Sequence, residues 1–297
     1  MTNTIRPIPY GVADFLSLRE RNMYYVDKTM YLEELEQQPS NLFFIRPRRF
    51  GKSLFISMMR AYYDKLMAAD FDSLFGDLWV GQHPTPLKNR YQVLYLDFSR
   101  AGGNMERLEE NFNTYCCQRL DEFIRAYRTD YPDEMVEEFL RYDESTYKFN
   151  LLNNYAQRLR HPLYLIVDEY DNFTNNILSE EGEAVYHALT HAQGFYRDFF
   201  KLFKGMFRRI MMMGVSPVTV NDLNSGYNIG TNLSMDPMFN MMLGFSENEV
   251  REMIEYYREV GLIKVPTDQL ITDMKPWYDN YCFAKDSLDT DPKMFNS

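Results

Sequence analysis

Four short runs of apolar residues alternate with longer stretches of helical periodicity along this 297-residue chain. The runs occupy residues 42–45, 93–96, 163–167 and 210–213. Runs that are apolar throughout are typical of strands buried on both faces of a parallel sheet. Helical segments between such strands serve as crossover connections. The pattern therefore predicts an α/β fold in which helices cover both faces of a central sheet, a three-layer α/β/α architecture.

Helical periodicity is clearest in three segments between the apolar runs. Apolar residues at intervals of three and four predict a helix over 53–69, and similar patterns predict helices over 106–127 and 147–159. The stretch 129–143 is acidic and contains proline. We expect it to be a surface connection with some helix.

The C-terminal part of the chain shows a different pattern. Ser246 and Glu249 have the spacing of a capping box, Gly261 supplies a helix stop, and a second helix is predicted after Pro266. We therefore predict a core domain with an N-terminal extension at 1–245 and a small helical lid at 246–297. The last dozen residues are polar and are expected to fray.

Charge and composition limit the partners of the chain. It has 43 acidic against 32 basic residues, a net charge of −11, which argues against a whole-surface attraction to nucleic acid or anionic membrane. A nucleic acid would have to bind in a local basic groove. We find no secretory signal and no apolar run near the ~20 residues that span a bilayer. The sequence therefore predicts a cytoplasmic protein.

A glycine, a lysine and a serine follow the first apolar run. The segment RPRRFGKS at 46–53 lies between the predicted strand 42–45 and the predicted helix 53–69. In a P-loop, N–H groups at a helix start surround phosphate, a lysine reaches the outer phosphates and a hydroxyl binds magnesium. The segment predicts binding of ATP with Mg²⁺, against the simpler interpretation of a turn and a helix cap. The residues predicted to contact the nucleotide are Arg46, Pro47, Arg48, Arg49, Phe50, Gly51, Lys52, Ser53 and Leu54.

The loop departs from the pattern G-x-x-x-x-G-K-[ST] at its first position, where Arg46 stands in place of glycine. Arg46, Arg48 and Arg49 either make charge-assisted contacts to phosphate or are solvated loop charges. For each arginine taken alone, the solvated state is the default expectation.

Two carboxylates follow the third apolar run. Mg²⁺ prefers carboxylate and phosphate oxygens, so Asp168 is predicted to bind the metal together with Ser53. Glu169 comes next and is predicted to act as a base or to position the attacking water, which favours hydrolysis. A charged turn at 168–171 would be the better interpretation if it stood alone. The motif at Lys52, with the strand 93–96 lying between in sequence, favours an ATPase.

Further polar residues lie at the ends of the other runs. Ser216 is predicted to contact the γ-phosphate or the attacking water, and the alternative is an ordinary serine at a strand end. Asp97 is a weaker candidate for the same site. Arg208 and Arg209 either stabilise transferred charge in an assembly or form a surface pair. The predicted catalytic residues are therefore Lys52, Glu169 and Ser216.

Six segments carry a family likeness that covers nearly the whole chain. They are IPYG at 8–11, YVDKT at 25–29, FIRPRRFGKS at 44–53, LIVDEYD at 165–171, GVSP at 214–217 and WYDNY at 277–281. Together they resemble the AAA-ATPase-like family of bacterial and archaeal proteins, whose pattern includes an arginine-bearing P-loop. The resemblance implies an AAA+-like core, a Walker A motif at 46–53, a Walker B motif at 168–169, and residues 25–29 close to the nucleotide. Many relatives continue into a PD-(D/E)XK nuclease-like domain, which we expect to be absent from this chain.

Two classes of function are consistent with these motifs. The first is a Mg²⁺-dependent ATPase, which Glu169 favours. The second is a non-hydrolysing nucleotide switch or scaffold that recruits a protein, a second copy of the chain or a nucleic acid. The chain has 19 methionines, which supply adaptable core packing or a partner surface. A turnover assay with and without DNA would separate these two classes. A third class, a nucleic-acid-processing machine, would require the nuclease-like domain or a basic groove, which this acidic sequence does not display.

Overall fold

A parallel five-stranded sheet forms the centre of the computed structural model. The structure describes residues 5–101, 107–180, 182–190, 195–216, 230–278, 281–283 and 293–296. The strands are β1 (Asn41–Ile45), β2 (Gln92–Asp97), β3 (Leu163–Asp168), β4 (Arg209–Gly214) and β5 (Thr231–Asn232), and they lie in the order β2-β3-β4-β1-β5. Neighbouring strands all pair in parallel. The four predicted strands are thereby confirmed.

Helices cover both faces of this sheet. One face carries α1 (Phe15–Glu20), α2 (Tyr31–Gln37), α3 (Lys52–Tyr63), α4 (Phe71–Phe75) and α5 (Trp79–Gln82). The other carries α6 (Leu108–Ala126), α7 (Asp133–Arg141), α8 (Ser145–Leu159), α9 (Asn172–Glu180), α10 (Glu183–Thr190) and α11 (Phe195–Lys201). The predicted three-layer α/β/α architecture is confirmed. Among the described residues, the helices are all too short or too polar to cross a bilayer.

Strand β3 shows why the apolar runs are continuous. All of its residues are buried. Leu165 and Val167 pack into the cluster on one face, whereas Tyr164 and Ile166 pack into the cluster on the other. Successive side chains of a strand point to opposite faces, so both sets must be apolar when helices cover both sides.

Segment 129–143 contains the expected helix, but it does not lie wholly at the surface. Helix α7 lies within it, and its Met135, Val136 and Phe139 are almost fully buried. Apolar residues on one side of a short acidic helix are enough to place that side in the core. The acidic residues that suggested a surface position occupy the more exposed side of α7.

The C-terminal segment contains α12 (Glu247–Glu259), α13 (Thr267–Tyr278) and a short antiparallel ribbon of β6 (Phe245–Ser246) with β7 (Met294–Phe295). The predicted capping box is present, because Ser246 and Glu249 bond to each other's backbone N–H groups. Met294 and Phe295 are buried, so the expectation of a frayed end is wrong for β7. The division at residue 245 stays a prediction.

Candidate functional site

The predicted site residues meet at one edge of the sheet. The loop 46–51 leaves the carboxyl end of β1, Asp168 ends β3, and the segment leading to Ser216 leaves β4, which lies between β1 and β3. Parallel strands bring their carboxyl ends to the same edge, where ligands of open α/β sheets bind. Motifs more than 100 residues apart in sequence are therefore neighbours in space.

The backbone turns sharply before α3. Gly51 has a φ of 80° at the N-cap of α3, and Arg49 has a φ of 66°. These left-handed conformations are readily adopted by glycine and are uncommon for arginine. The turn directs the loop into the start of α3, where free N–H groups and the helix dipole favour an anion.

Lys52 lies over the loop that precedes it. Its Nζ donates hydrogen bonds to the carbonyl oxygens of Arg46 at 3.1 Å and Pro47 at 3.0 Å. Burial lowers the pKa of Lys52, while the charges of Glu169 and Asp168 oppose that shift. The ammonium group is thus held between the loop and the acidic end of β3.

Ser53 joins the loop to the acidic strand end. Its Oγ donates a 2.8 Å hydrogen bond to Asp168 Oδ2. Burial raises the pKa of Asp168 to about 6, the Ser53 bond opposes the shift, and the charges of Glu169 and Asp97 add to it. Asp97 is the register partner of Asp168 on β2. A hydroxyl and carboxylates converge here, and oxygen ligands of this kind suit Mg²⁺.

Glu169 has an uncommon backbone conformation for a glutamate. Its φ is 51°, and its N–H donates to Asp168 Oδ1 at 2.9 Å. The side chain is half-buried, and its charge acts on both Lys52 and Asp168. The carboxylate therefore stands within electrostatic range of the loop and of the Asp168 carboxyl.

Ser216 is held by its backbone. Its N–H donates to Asp171 Oδ2 at 2.5 Å, and its carbonyl oxygen accepts the Tyr170 hydroxyl proton at 2.9 Å. Both partners belong to the turn that follows Asp168. Ser216 thus lies on the segment that leaves β4, the strand between the two motifs, and its contact with phosphate stays a prediction.

Asp171 is a structural residue of the site that sequence reasoning missed. Its side chain is fully buried and also accepts hydrogen bonds from the Val215 N–H at 3.1 Å and from Asn175 Nδ2 at 2.9 Å. A Cβ on Gly214 would lie 2.4 Å from Asp171 Oδ1. Glycine is required there because the carboxylate approaches so closely. The acidic residue three positions after Asp168 was the available signal.

Arg46 requires a correction, because both sequence alternatives for it are wrong. Its side chain is 1% exposed. The guanidinium donates to the carbonyl oxygens of Ser234 at 2.7 Å and Phe239 at 3.0 Å. It also lies over the rings of Phe44 and Phe283, at 4.1 and 4.0 Å from their centroids. The charge stabilises the packing behind the loop instead of facing phosphate or solvent.

The other predicted loop residues divide by exposure. The Phe50 ring is buried against Tyr281 and Phe283, so its side chain belongs to the core and only its backbone remains for the ligand. Arg48 and Arg49 are exposed, and Leu54 is half-buried beneath the loop. Contact of these two exposed arginines with phosphate stays a prediction.

Segment 25–29 contacts other parts of the chain. Asp27 accepts the Trp79 N–H at 2.7 Å, and Lys28 donates to Glu249 at 2.5 Å and to the Met241 carbonyl at 2.9 Å. These contacts join residues 25–29 to α5, to α12 and to the backbone at Met241. Proximity of this segment to a nucleotide stays a prediction.

Arg208 and Arg209 lie at the amino end of β4, at the opposite edge of the sheet from the loop. They cannot reach the loop of their own chain. Arg209 is buried and bonds to the carbonyl oxygens of Leu35 and Glu36, whereas Arg208 is exposed. The expected surface pair is therefore wrong for Arg209.

Comparison with known proteins identifies the family. The model of the family described as Predicted AAA-ATPase matches residues 9–224. An uncharacterized protein in the vnfD 5′ region of Azotobacter chroococcum mcd 1 is 26% identical over 248 residues, which are 82% of this chain and 44% of that protein. This chain thus spans less than half the length of that relative.

A solved structure is also similar, at a low level. The ORC2 protein of Aeropyrum pernix, determined as ADPNP and ADP complexes, is 14% identical with a TM-score of 0.35, covering 92% of this chain and 58% of that one. A likeness this weak does not bear on the site. The family match covers more than two thirds of the 297 residues, including both acidic and loop motifs. The chain belongs to the predicted AAA-ATPase family.

Proposed function

We propose that the chain binds ATP with Mg²⁺ between the loop 46–53 and Asp168, and hydrolyses it. Lys52 contacts the outer phosphates, the N–H groups at the start of α3 surround them, and Ser53 with Asp168 holds the metal. The bound metal neutralises phosphate charge. The observation that carries the proposal is the 2.8 Å hydrogen bond between Ser53 Oγ and Asp168 Oδ2, because it brings together a hydroxyl and a carboxylate, two kinds of oxygen ligand that Mg²⁺ takes.

Hydrolysis in this proposal depends on Glu169. A water oxygen forms a bond to the γ-phosphorus as the bond to the bridging oxygen of ADP breaks. The Glu169 carboxylate accepts the proton of that water. Ser216, fixed through Asp171 and Tyr170, orients the water or the γ-phosphate.

Calorimetric titration with ATP and Mg²⁺ tests the binding site. We expect the wild-type chain to bind and Lys52→Ala to lose roughly 100-fold or more in affinity, because charge-assisted contacts to two phosphates are removed. Lys264→Ala, which removes an exposed lysine far along the chain, serves as the control and should bind like wild type. Equal binding by Lys52→Ala would refute the assigned site.

Phosphate release by Glu169→Gln tests the catalytic role. This variant keeps the shape of the side chain and removes the base, so we expect ATP binding to persist and turnover to fall by about 100-fold or more. Glu259→Gln, at an exposed position, is the matched control. Unchanged release by Glu169→Gln would contradict the role. Binding without turnover by the wild type, with and without added DNA, would favour the nucleotide switch or scaffold instead.

A further inference from the structure

A cavity of about 760 Å³ opens at the amino ends of β1, β3 and β4. Ser40, Leu163 and Arg209 line it where these three strands begin. The loop 46–53, Asp168 and Ser216 lie at the opposite ends of the same strands. Strands of five or six residues span about 15–20 Å, so the cavity is separate from the proposed ATP site.

The lining of this cavity is cationic. It includes Arg160, His161, Arg208 and Arg209 but no aspartate or glutamate. The chain as a whole has 43 acidic against 32 basic residues, so this lining departs strongly from the average surface. A concave surface with one sign of charge concentrates ligands of the opposite sign.

Two of these arginines are available to a ligand. Arg160 and Arg208 are exposed, and within the described part of the chain neither guanidinium makes an ion pair with a carboxylate. Arg160 follows the end of α8 with a φ of 58°, and the Arg208 N–H donates to the Leu163 carbonyl at 2.9 Å. Arg160 precedes β3 and Arg208 precedes β4, and both residues line the cavity.

Arg209 is the buried arginine of this lining. It donates to the carbonyl oxygens of Leu35 at 2.6 Å and Glu36 at 3.3 Å, groups that carry no formal charge. The Arg209 charge also acts on the Glu36 carboxyl. Burial raises the pKa of Glu36, and the Arg209 charge opposes that shift. His161 Nε2 contacts the Asp130 carbonyl oxygen at 2.9 Å.

Apolar groups complete the lining. Tyr91 and Phe207 contribute aromatic surface to it and are themselves largely buried. The volume lies within the range of pockets for small organic ligands and is far larger than one phosphate ion needs. Guanidinium groups bind phosphate in a bidentate manner and also stack on planar rings.

We propose that this cavity binds a phosphate-bearing organic anion of nucleotide size, with Arg160 and Arg208 contacting the phosphate. The shared chemistry is a phosphate ester on a sugar that carries a planar base. A free nucleotide and the 5′-end of a nucleic-acid strand both present it.

Calorimetric titrations with 5′-AMP and with a 5′-phosphorylated thymidine dinucleotide test the proposal and distinguish these sources. We expect at least one probe to bind wild-type protein. The double variant Arg160→Gln with Arg208→Gln should bind it at least tenfold more weakly, since each guanidinium supplies a charge-assisted contact. Affinity should also fall as salt rises from 50 to 300 mM, because the opening is exposed to solvent.

Two controls make the result specific. Arg125→Gln with Arg141→Gln removes the same charge from exposed positions outside the cavity and should leave binding unchanged. Lys52→Ala should also leave it unchanged, because the loop 46–53 is at the other edge. No binding of either probe at millimolar concentration, or an equal loss in either control, overturns the proposal. The test of this cavity does not depend on whether ATP binds at Lys52.

Discussion

Glu169 combines a predicted chemical role with an unfavourable backbone conformation. A φ of 51° places it in the left-handed region, which costs a non-glycine residue roughly 1–2 kcal/mol. Strain of this kind is often kept at functional sites. The conformation turns the chain directly after Asp168 and brings the Glu169 side chain within electrostatic range of Lys52.

Glu169→Gly should therefore stabilise the protein while abolishing turnover. We expect the free energy of unfolding to rise by about 0.5–1 kcal/mol, because glycine adopts the conformation freely but loses more entropy on folding. Denaturant unfolding measures the change. Glu137→Gly in the middle of α7 is the control and should cost about 1 kcal/mol. A loss of stability at position 169 would contradict the strain argument.

The buried carboxyl of Asp168 predicts a pH dependence. With a pKa raised to about 6, it must lose a proton before it can bind metal. We expect affinity for Mg²⁺–ATP to rise from pH 5 to pH 7, measured by calorimetry. ATP titrates in the same range, so Asp168→Asn supplies the baseline, and its affinity should rise less steeply. Equal slopes would argue against Asp168 as a metal ligand.

The same pKa has the opposite effect on stability. Between the ordinary value of 3.8 and about 6, the folded protein binds more protons at Asp168 than the unfolded chain does. Stability contributed by this group is therefore largest at low pH and decreases as pH rises through that window. Metal binding, which favours the ionised form, should counteract the decrease.

At the scale of elements, the turn after β3 determines where the chain goes after β4. Asp171 accepts hydrogen bonds from the N–H groups of Val215 and Ser216, and the Tyr170 hydroxyl binds the next carbonyl oxygen. Side-chain hydrogen bonds thus join the carboxyl ends of β3 and β4, beyond the point where the backbone pairing of the two strands stops. Gly214 makes this approach possible because it has no Cβ.

Asp171→Ala should disrupt this junction. Two backbone N–H groups would lose their acceptors, and we expect unfolding free energy to fall by about 2–4 kcal/mol with a loss of ATP turnover. Asp198→Ala removes an exposed aspartate from α11 and should change stability by no more than about 0.5 kcal/mol. Chemical denaturation and phosphate release provide the two readouts. Wild-type stability and turnover in Asp171→Ala would contradict the structural role assigned to Asp171.

Across the whole molecule, charged side chains join the two ends of the sequence to the core. Arg46 connects the loop to Ser234 and Phe239. Burial lowers its pKa to about 9, so it remains charged at neutral pH. Lys28 is also buried and pairs with Glu249 at 2.5 Å. The partners in each contact are nearly 200 or more positions apart in sequence, so each contact depends on the complete fold.

The Lys28–Glu249 pair can be tested by a double-mutant cycle. Glu249→Gln leaves a buried ammonium without its partner, which costs about 3–5 kcal/mol. In a Lys28→Met background the same change should cost only about 1 kcal/mol, the loss expected from weakening the cap of α12. Unfolding free energies of the four proteins measure the coupling. The same cost in both backgrounds would show that the pair does not contribute.

The amino-acid sequence alone determined the four long strands, the capping box and the loop residues Gly51, Lys52 and Ser53, because each depends on local periodicity or on neighbours a few positions away. Only the tertiary structure decided the burial of Arg46, the role of Asp171 and the cationic cavity around Arg160 and Arg208. These features arise where segments distant in sequence pack together. The type of a residue does not specify which distant segment it will contact. That contact determines whether a charge is solvated, buried or grouped with other charges.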